Sequence, residues 1–391
     1  MKQILEGSHA IALTIKNINP AVISAYPITP QTHIVEDLAK FKANGKANYE
    51  YVRAESEFAA ASIILGASAT GVRVYSATSS QGLLLMTEVI FNIAGMRLPV
   101  VITCANRAVS APINIWNDQQ DAMTIRDAGW IMFFAENHQE AIEQHIIAYK
   151  IAEKLNLPVM INIDGFILTH TYEPVVIPEP DKIKKYLPDY KPKTGQFLDP
   201  KNPVTMGAFA TPADYMEIRQ DLHDDLTASL EVINEEYKKY HQTISSPTIV
   251  NRQSSIDNGL VEYYGPKNPK IILTAMGSII GTIKEVADEH NISFFKDKVG
   301  ILKIKTFRPF PAEEILKVIK PAKYIAILDK SISLGHIGPL ASDLKASVQK
   351  KFNGKIQSFI VGLGGRDITK KIIKKIIEDI KKNNNETKFV G

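Results

Sequence analysis

Four short stretches of this 391-residue chain carry chemically able side chains where the backbone can hold them still. In Ala25-Tyr26-Pro27-Ile28-Thr29-Pro30-Gln31-Thr32 a hydroxyl sits between two prolines. Each ring fixes its own φ and moves the residue before it out of the helical region, so Thr29 lies in a rigid turn. There it either hydrogen-bonds a small polar ligand or caps the helix that follows, with Pro30 at the first helical position. In Arg53-Ala54-Glu55-Ser56-Glu57-Phe58-Ala59-Ala60-Ala61 two carboxylates stand at the start of a helix of small residues, where the dipole favours them. They are one residue apart, so only one can face a given pocket, and either can equally serve as a cap. The polar turn Thr78-Ser79-Ser80-Gln81-Gly82 can offer backbone N–H groups to a ligand, although it has neither Walker spacing nor G-x-G-x-x-G. Finally, Arg107 follows the apolar run ending in Cys104-Ala105-Asn106. It suits a bidentate grip on a carboxylate, or else a structural ion pair with Asp118 or Asp121.

Other chemistries find less support. Cys104 reads as a buried small hydrophobe within a strand. The nine histidines include no H-E-x-x-H and no grouping with carboxylates at metal spacing, so no metal ligand is assigned and His138 and His170 read as structural. No G-x-S-x-G elbow supports a serine nucleophile.

The elements that must position these residues alternate strand and helix. Strands are predicted at Ala21–Tyr26, Ala47–Val52, Val72–Ala77, Pro99–Cys104, Ile131–Glu136 and Pro158–Ile163, with helices near Thr32–Phe41, Glu57–Ala69, Gly82–Ala94 and Gln139–Leu155. This rhythm implies an α/β, doubly wound parallel sheet whose sites lie at the carboxyl ends of its strands. A proline-rich excursion from Thr171 and an amphipathic helix over Tyr215–Gln242 complete a first domain, 1–245. A polar linker is expected at 246–268. Strands at Ile271–Met276, Val299–Ile304, Tyr324–Leu328 and Ile356–Val361, with helices between them, make a second α/β domain, 269–391. The tail Asn383-Asn384-Asn385-Glu386 is expected to fray.

Composition narrows the function classes. One cysteine excludes a disulfide framework and an iron–sulfur cluster held by this chain alone, and it suits a reducing, cytoplasmic setting. No apolar run reaches a membrane span, and Lys2, Glu6, Ser8 and His9 interrupt any signal-peptide pattern. The net charge of +4 conceals an asymmetry: residues 301–391 hold 17 Lys and 2 Arg against 8 acids. In Lys370-Lys371-Ile372-Ile373-Lys374-Lys375-Ile376-Ile377 these lysines alternate with isoleucine pairs, which reads as the solvated face of a helix, not as a nucleic-acid surface.

Taken in order, Tyr26-Pro27-Ile28-Thr29-Pro30, Glu55-Ser56-Glu57, Ser80-Gln81-Gly82-Leu83-Leu84-Leu85-Met86, Asn106-Arg107-Ala108 and Asn117-Asp118-Gln119-Gln120-Asp121 resemble the α subunit of the 2-oxoacid:ferredoxin oxidoreductases, nearest its pyruvate branch. Val361-Gly362-Leu363-Gly364-Gly365-Arg366-Asp367 extends the resemblance to the second domain. The resemblance implies a pyrimidine-type thiamine diphosphate-binding domain followed by a transketolase C-terminal-like domain. It implies an enzyme that cleaves pyruvate with CoA to acetyl-CoA and CO2 and passes electrons to ferredoxin or flavodoxin. Glu57 would face N1′ of the aminopyrimidine, a positioned acid–base role worth about 10²–10⁴ in rate. Thr29 and Arg107 would bind the substrate's carboxylate and carbonyl end. Thiamine diphosphate would be shared with a β subunit, since Asp164-Gly165-Phe166 lacks the shape of a Mg²⁺ and diphosphate motif. Mg²⁺ and [4Fe-4S] clusters would reside in β-, γ- and δ-type partners. A branched-chain 2-oxoacid specificity and a non-catalytic scaffold subunit are the alternatives. The 2-oxoglutarate branch generally has a glycine-rich stretch where Ala108-Val109-Ser110-Ala111-Pro112 stands here, and the oxalate branch a basic residue in place of Thr29.

Overall fold

Apolar runs bounded by turn residues become two seven-stranded sheets in the computed structural model, which describes residues 2–244, 254–292, 297–382 and 386–391. The first sheet runs, in space, 306–308, 131–134, 159–164, 101–106, 74–78, 22–25, 50–53. All neighbours are parallel except Thr306–Arg308, which lies antiparallel to Ile131–Phe134. Every residue of Val74–Thr78, Val101–Asn106 and Val159–Asp164 is buried, as expected when helices cover both faces.

The second sheet runs 388–390, 355–361, 324–329, 271–275, 299–304, 261–264, 254–257. Its first five strands are parallel and its last two antiparallel. The strands Ser254–Asp257 and Val261–Tyr264 fall within the stretch expected to be linker. The sequence hides them because Val261-Glu262-Tyr263-Tyr264 is buried at all four positions and shows no alternation. Residues 246–253 of the expected linker, and Asn383-Asn384-Asn385, lie outside the described residues.

The two sheets share one apolar core at their junction, where Trp130 and Phe134 meet Val261, Leu302, Ile304 and Phe307. The Phe134 and Phe307 rings meet edge-on at 6.2 Å. Beside this core runs a buried charge cluster. Lys303 reaches Glu136 at 2.7 Å, Glu140 at 2.9 Å and Glu262 at 3.1 Å, and Lys305 reaches Glu140 at 3.0 Å.

Elsewhere the elements follow the expected pattern with three refinements. The expected helix over Gly82–Ala94 is two helices, Ser80–Leu85 and Thr87–Gly95. Lys2–Glu6 pairs with Tyr172–Val176, so part of the proline-rich excursion is a strand, and Gly7–Ile18 forms a helix between the two regions. The 29-residue helix Tyr215–Thr243 packs on His138–Leu155 through a stripe that includes Leu222, Ser229, Ile233 and Tyr240. In Lys370–Asp379 the isoleucines Ile373, Ile376 and Ile377 are buried while Lys371, Lys374 and Lys375 face solvent. Among the described residues no helix is long and apolar enough to cross a membrane.

Candidate functional site

Four neighbouring strands, 50–53, 22–25, 74–78 and 101–106, deliver the candidate residues at their carboxyl ends. Thr29 lies exposed in the turn after Val22–Ala25. The helix Thr32–Ala43 begins at Gln31 without a side-chain cap, which sets aside the capping role for Thr29. Gln31 instead ties the turn down, donating through Nε2 to Ala77 O at 2.6 Å.

Burial separates the two glutamates. Glu55 is exposed, whereas Glu57, the first residue of the helix Glu57–Ala69, is buried. Ser56 is the cap, its hydroxyl accepting from Ala59 N at 3.1 Å, so neither carboxylate is needed for that task. The Glu57 side chain lies against Gly82, where a Cβ would come within 2.7 Å of Glu57 Oε1 and 2.5 Å of Thr78 Oγ1. Any larger residue at 82 would therefore displace the carboxylate. Around it, Thr78 Oγ1 and Gln81 Nε2 are buried polar atoms without a hydrogen-bond partner. Such atoms are costly to leave unmet.

Arg107 is 9% exposed and ends its fork on neutral oxygens, Nη1 to Thr29 O at 2.9 Å and Nε to Asn114 O at 3.1 Å. The first contact brings the Thr29 turn and Arg107 together. Burial lowers the guanidinium's pKa, and the charge of Asp121 opposes that. Among the described residues the alternative reading of Arg107, a side-chain ion pair with Asp118 or Asp121, does not form. Asp118 accepts from Gln120 N at 3.0 Å and Gly364 N at 3.1 Å. Asp121 accepts from the main chain of Ser80 at 2.9 Å and of Arg107 at 3.0 Å, and from Asn106 Nδ2 at 2.9 Å.

Asp121 is the organising residue that the sequence did not single out for this role. Burial pushes its carboxyl up to about 6 against the pull of these donors. It anchors Arg107 at one strand end and Ser80 at the next. Ser80 has φ 45°, an unfavourable region for a side chain, and a second bond from its hydroxyl to Ala108 O at 2.5 Å holds it there. The rest of the Asn117-Asp118-Gln119-Gln120 run fastens the first domain to the second. Gln119 N donates to Lys330 O at 2.8 Å, Gln120 Oε1 accepts from Ile332 N at 3.0 Å, and Asn117 bonds both Asp164 and Lys330. Asp164 is likewise committed: its Oδ2 accepts from Lys330 Nζ at 3.0 Å and the Ser278 hydroxyl at 2.5 Å, and its Oδ1 from Asn117 Nδ2 at 3.2 Å and Gln119 Nε2 at 3.1 Å. Cys104 is fully buried, and burial together with Asp121 pushes its thiol pKa well up, away from a reactive thiolate.

Comparison with known proteins adds the following. Residues 14–239 match the family described as pyruvate flavodoxin/ferredoxin oxidoreductase, thiamine diphosphate-binding, and residues 270–373 match pyruvate:ferredoxin oxidoreductase core domain II. The pyruvate synthase subunit PorA of Methanosarcina barkeri is 46% identical over 97% of this chain and 92% of its own length. The ketoisovalerate oxidoreductase subunit VorA of Pyrococcus horikoshii is 40% identical over 98% of this chain and 94% of its own. Among solved structures, the 2-oxoglutarate:ferredoxin oxidoreductase of Magnetococcus marinus superposes with a TM-score of 0.71 at 18% identity, covering 97% of this chain and 65% of that one. A split-gene transketolase superposes with a TM-score of 0.56 at 11% identity, over 95% of this chain and 96% of the other.

Proposed function

The chain belongs to the pyruvate:ferredoxin oxidoreductase family, and we propose on that premise that its first-domain cleft binds the 2-oxoacid and the aminopyrimidine of thiamine diphosphate. The chain is the α subunit of an enzyme that oxidatively decarboxylates pyruvate with CoA to acetyl-CoA and CO2, its electrons passing to ferredoxin.

One observation carries the site reading: Arg107 is a buried cation with no carboxylate of its own, held on Thr29 O. A substrate carboxylate supplies the missing charge, and the Thr29 hydroxyl in the same turn reaches the neighbouring carbonyl end. Because that carboxylate leaves as CO2, Arg107 orients the substrate without needing to hold the product. The residues around Glu57 fit the aminopyrimidine. The carboxylate is buried, Gly82 leaves room beside it, and Thr78 Oγ1 and Gln81 Nε2 lack partners. Thiamine diphosphate, when bound, supplies the electron sink for decarboxylation. Glu57 holds N1′ and shares its proton, and the helix that begins at Glu57 fixes the carboxylate's position.

The remaining parts we assign to other subunits. Asp164 is engaged by Lys330, Ser278, Asn117 and Gln119, which supports assigning the metal and the diphosphate to a β subunit. The lone buried Cys104 leaves [4Fe-4S] clusters to γ- and δ-type subunits and electron exit to ferredoxin or flavodoxin. A rim of exposed apolar side chains near the cleft, Tyr26, Phe58, Leu85, Ile115 and Trp116, suits docking of such a partner. We place the complex in the cytoplasm. We divide the chain into the thiamine-binding unit and a transketolase C-terminal-like unit that includes the strands from Ser254 onward.

The test is to purify the chain with its co-purifying partners and follow reduction of a viologen dye. Pyruvate with CoA is expected to be the better substrate. Faster turnover of 2-oxoisovalerate would transfer the chain to the branched-chain group, to which the 40% identical VorA belongs.

A further inference from the structure

We propose that Glu6, His33 and His170 form a binding site for one divalent transition-metal ion of the zinc type. One ligand atom from each residue lies within 4.8 Å of the other two, so a small inward adjustment of the side chains lets all three reach a single ion. His33 Nδ1 stands 2.6 Å from Glu6 Oε1, and the His33 and His170 rings lie 4.6 Å apart, centroid to centroid. Two imidazoles and a carboxylate make a mixed nitrogen and oxygen donor set that suits Zn²⁺, with water completing a tetrahedron.

The surroundings favour an ion over a plain hydrogen-bonded pair. The His170 ring is held between Phe166, 4.9 Å away, and His33, 4.6 Å away, so it is kept beside the Glu6–His33 pair. The Thr169 hydroxyl lies 2.6 Å from His170 Nδ1 and fixes the ring, the supporting contact that ligating histidines generally have. The His33 side chain is 48% exposed, which leaves the site open to solvent ions.

The donors come from three separate segments: the end of the strand Lys2–Glu6, the first turn of the helix Thr32–Ala43, and the loop after Val159–Asp164. Their wide separation in the chain is why no metal motif is legible in the sequence. An ion there clips the loop to the turn that carries Thr29. The same loop already packs on that turn, since a Cβ at Gly165 would come within 2.7 Å of Pro30 Cγ. The site is thus a positioning clip beside the cleft, and it stands whether or not the substrate assignment does.

The experiment uses the full chain, stripped with chelator and titrated with Zn²⁺ by calorimetry and with Co²⁺ by visible absorption. One ion per chain is expected, with a Co²⁺ absorption band that Zn²⁺ abolishes. His33→Ala, His170→Ala and Glu6→Gln should each weaken binding by more than the roughly 10–100-fold that losing a supporting contact costs. His9→Ala, which alters a surface histidine paired with Asp37 outside the cluster, should leave it unchanged. Circular dichroism identifies any variant that fails to fold, and the half-exposed His33 is the position least prone to this. Absence of saturable binding to the unaltered chain would overturn the proposal, as would binding that survives both histidine substitutions.

Discussion

Arg107 and Lys330 are both buried cations, 9% and 3% exposed, and both stand near the Asn117–Asp121 run, yet their surroundings differ in kind. Lys330 lies in the seam between the domains, where the Asp164 carboxylate at 3.0 Å and Asn117 satisfy it. Arg107 lies in the cleft, and among the described residues its guanidinium bonds the carbonyls of Thr29 and Asn114. A buried charge is tolerated when it is paired and costly when it is not. The seam therefore stabilises the fold, while the cleft keeps its charge unmatched until a ligand arrives. Substitutions in the two regions should accordingly separate: cleft variants lose turnover at constant stability, and seam variants lose stability first.

The largest effect is expected at Glu57. In the assembled complex Glu57→Gln keeps the side chain's shape beside Gly82 but removes the acid. Dye reduction with pyruvate should fall by about 10²–10⁴, while the urea unfolding midpoint of the chain changes little. Full activity in this variant would dismiss the N1′ role. Lys330→Met is the opposite case. It leaves Asp164 buried and unpaired, and unfolding should become easier by about 3–5 kcal/mol. Adding Asp164→Asn should restore much of that loss, because the orphaned charge is then gone. Recovery without it, or a lower rate at full stability, would move Lys330 from the seam to the site. Arg107→Lys retains the charge but not the planar fork on Thr29 O. The KM for pyruvate should rise roughly tenfold, about 1.4 kcal/mol, with stability unchanged.

What the sequence made legible follows the same division. Strands bounded by turn residues, and the prolines around Thr29, are local signals, and they placed Thr29, Glu57 and Arg107 just beyond the carboxyl ends of strands. Small residues after Glu57 and the glycine at 82 also read locally, although only burial tells Glu57 from Glu55. The seam is non-local. Lys330 and Asp164 are 166 positions apart, and nothing in either neighbourhood announces the other. Thr306–Arg308 is three residues long, too short for any periodicity, and yet extends the sheet of the other domain. Asp121 belongs to both groups. Its place in a family-like run was visible, but its grip on Ser80 and Arg107 arises only when two loops close around it.

A further contrast sharpens the seam itself, through two glutamates one helical turn apart. Burial would raise Glu140, but Lys303 and Lys305 outweigh it and bring the carboxyl down to about 2. Its contribution to stability is present above the unfolded pKa near 4.5 and is lost as pH falls from there toward 2. Glu143 is the reverse: burial pushes it up to about 7 despite the opposing charge of Lys305. Its folded form holds a proton that the unfolded chain releases, so its contribution is full below about pH 4.5 and fades as pH rises through 7. Urea unfolding of the full chain across this range should show both slopes, each on the order of 1–3 kcal/mol. Glu143→Gln should flatten the decline between pH 4.5 and 7 and leave the acid limb in place. Lys303→Met should act on the acid limb, because it removes one of the two ammoniums that keep Glu140 ionised. Were both variants to alter the same limb, the two carboxylates would have to titrate as one group, and the contrast between paired and unpaired charge would not extend into the seam.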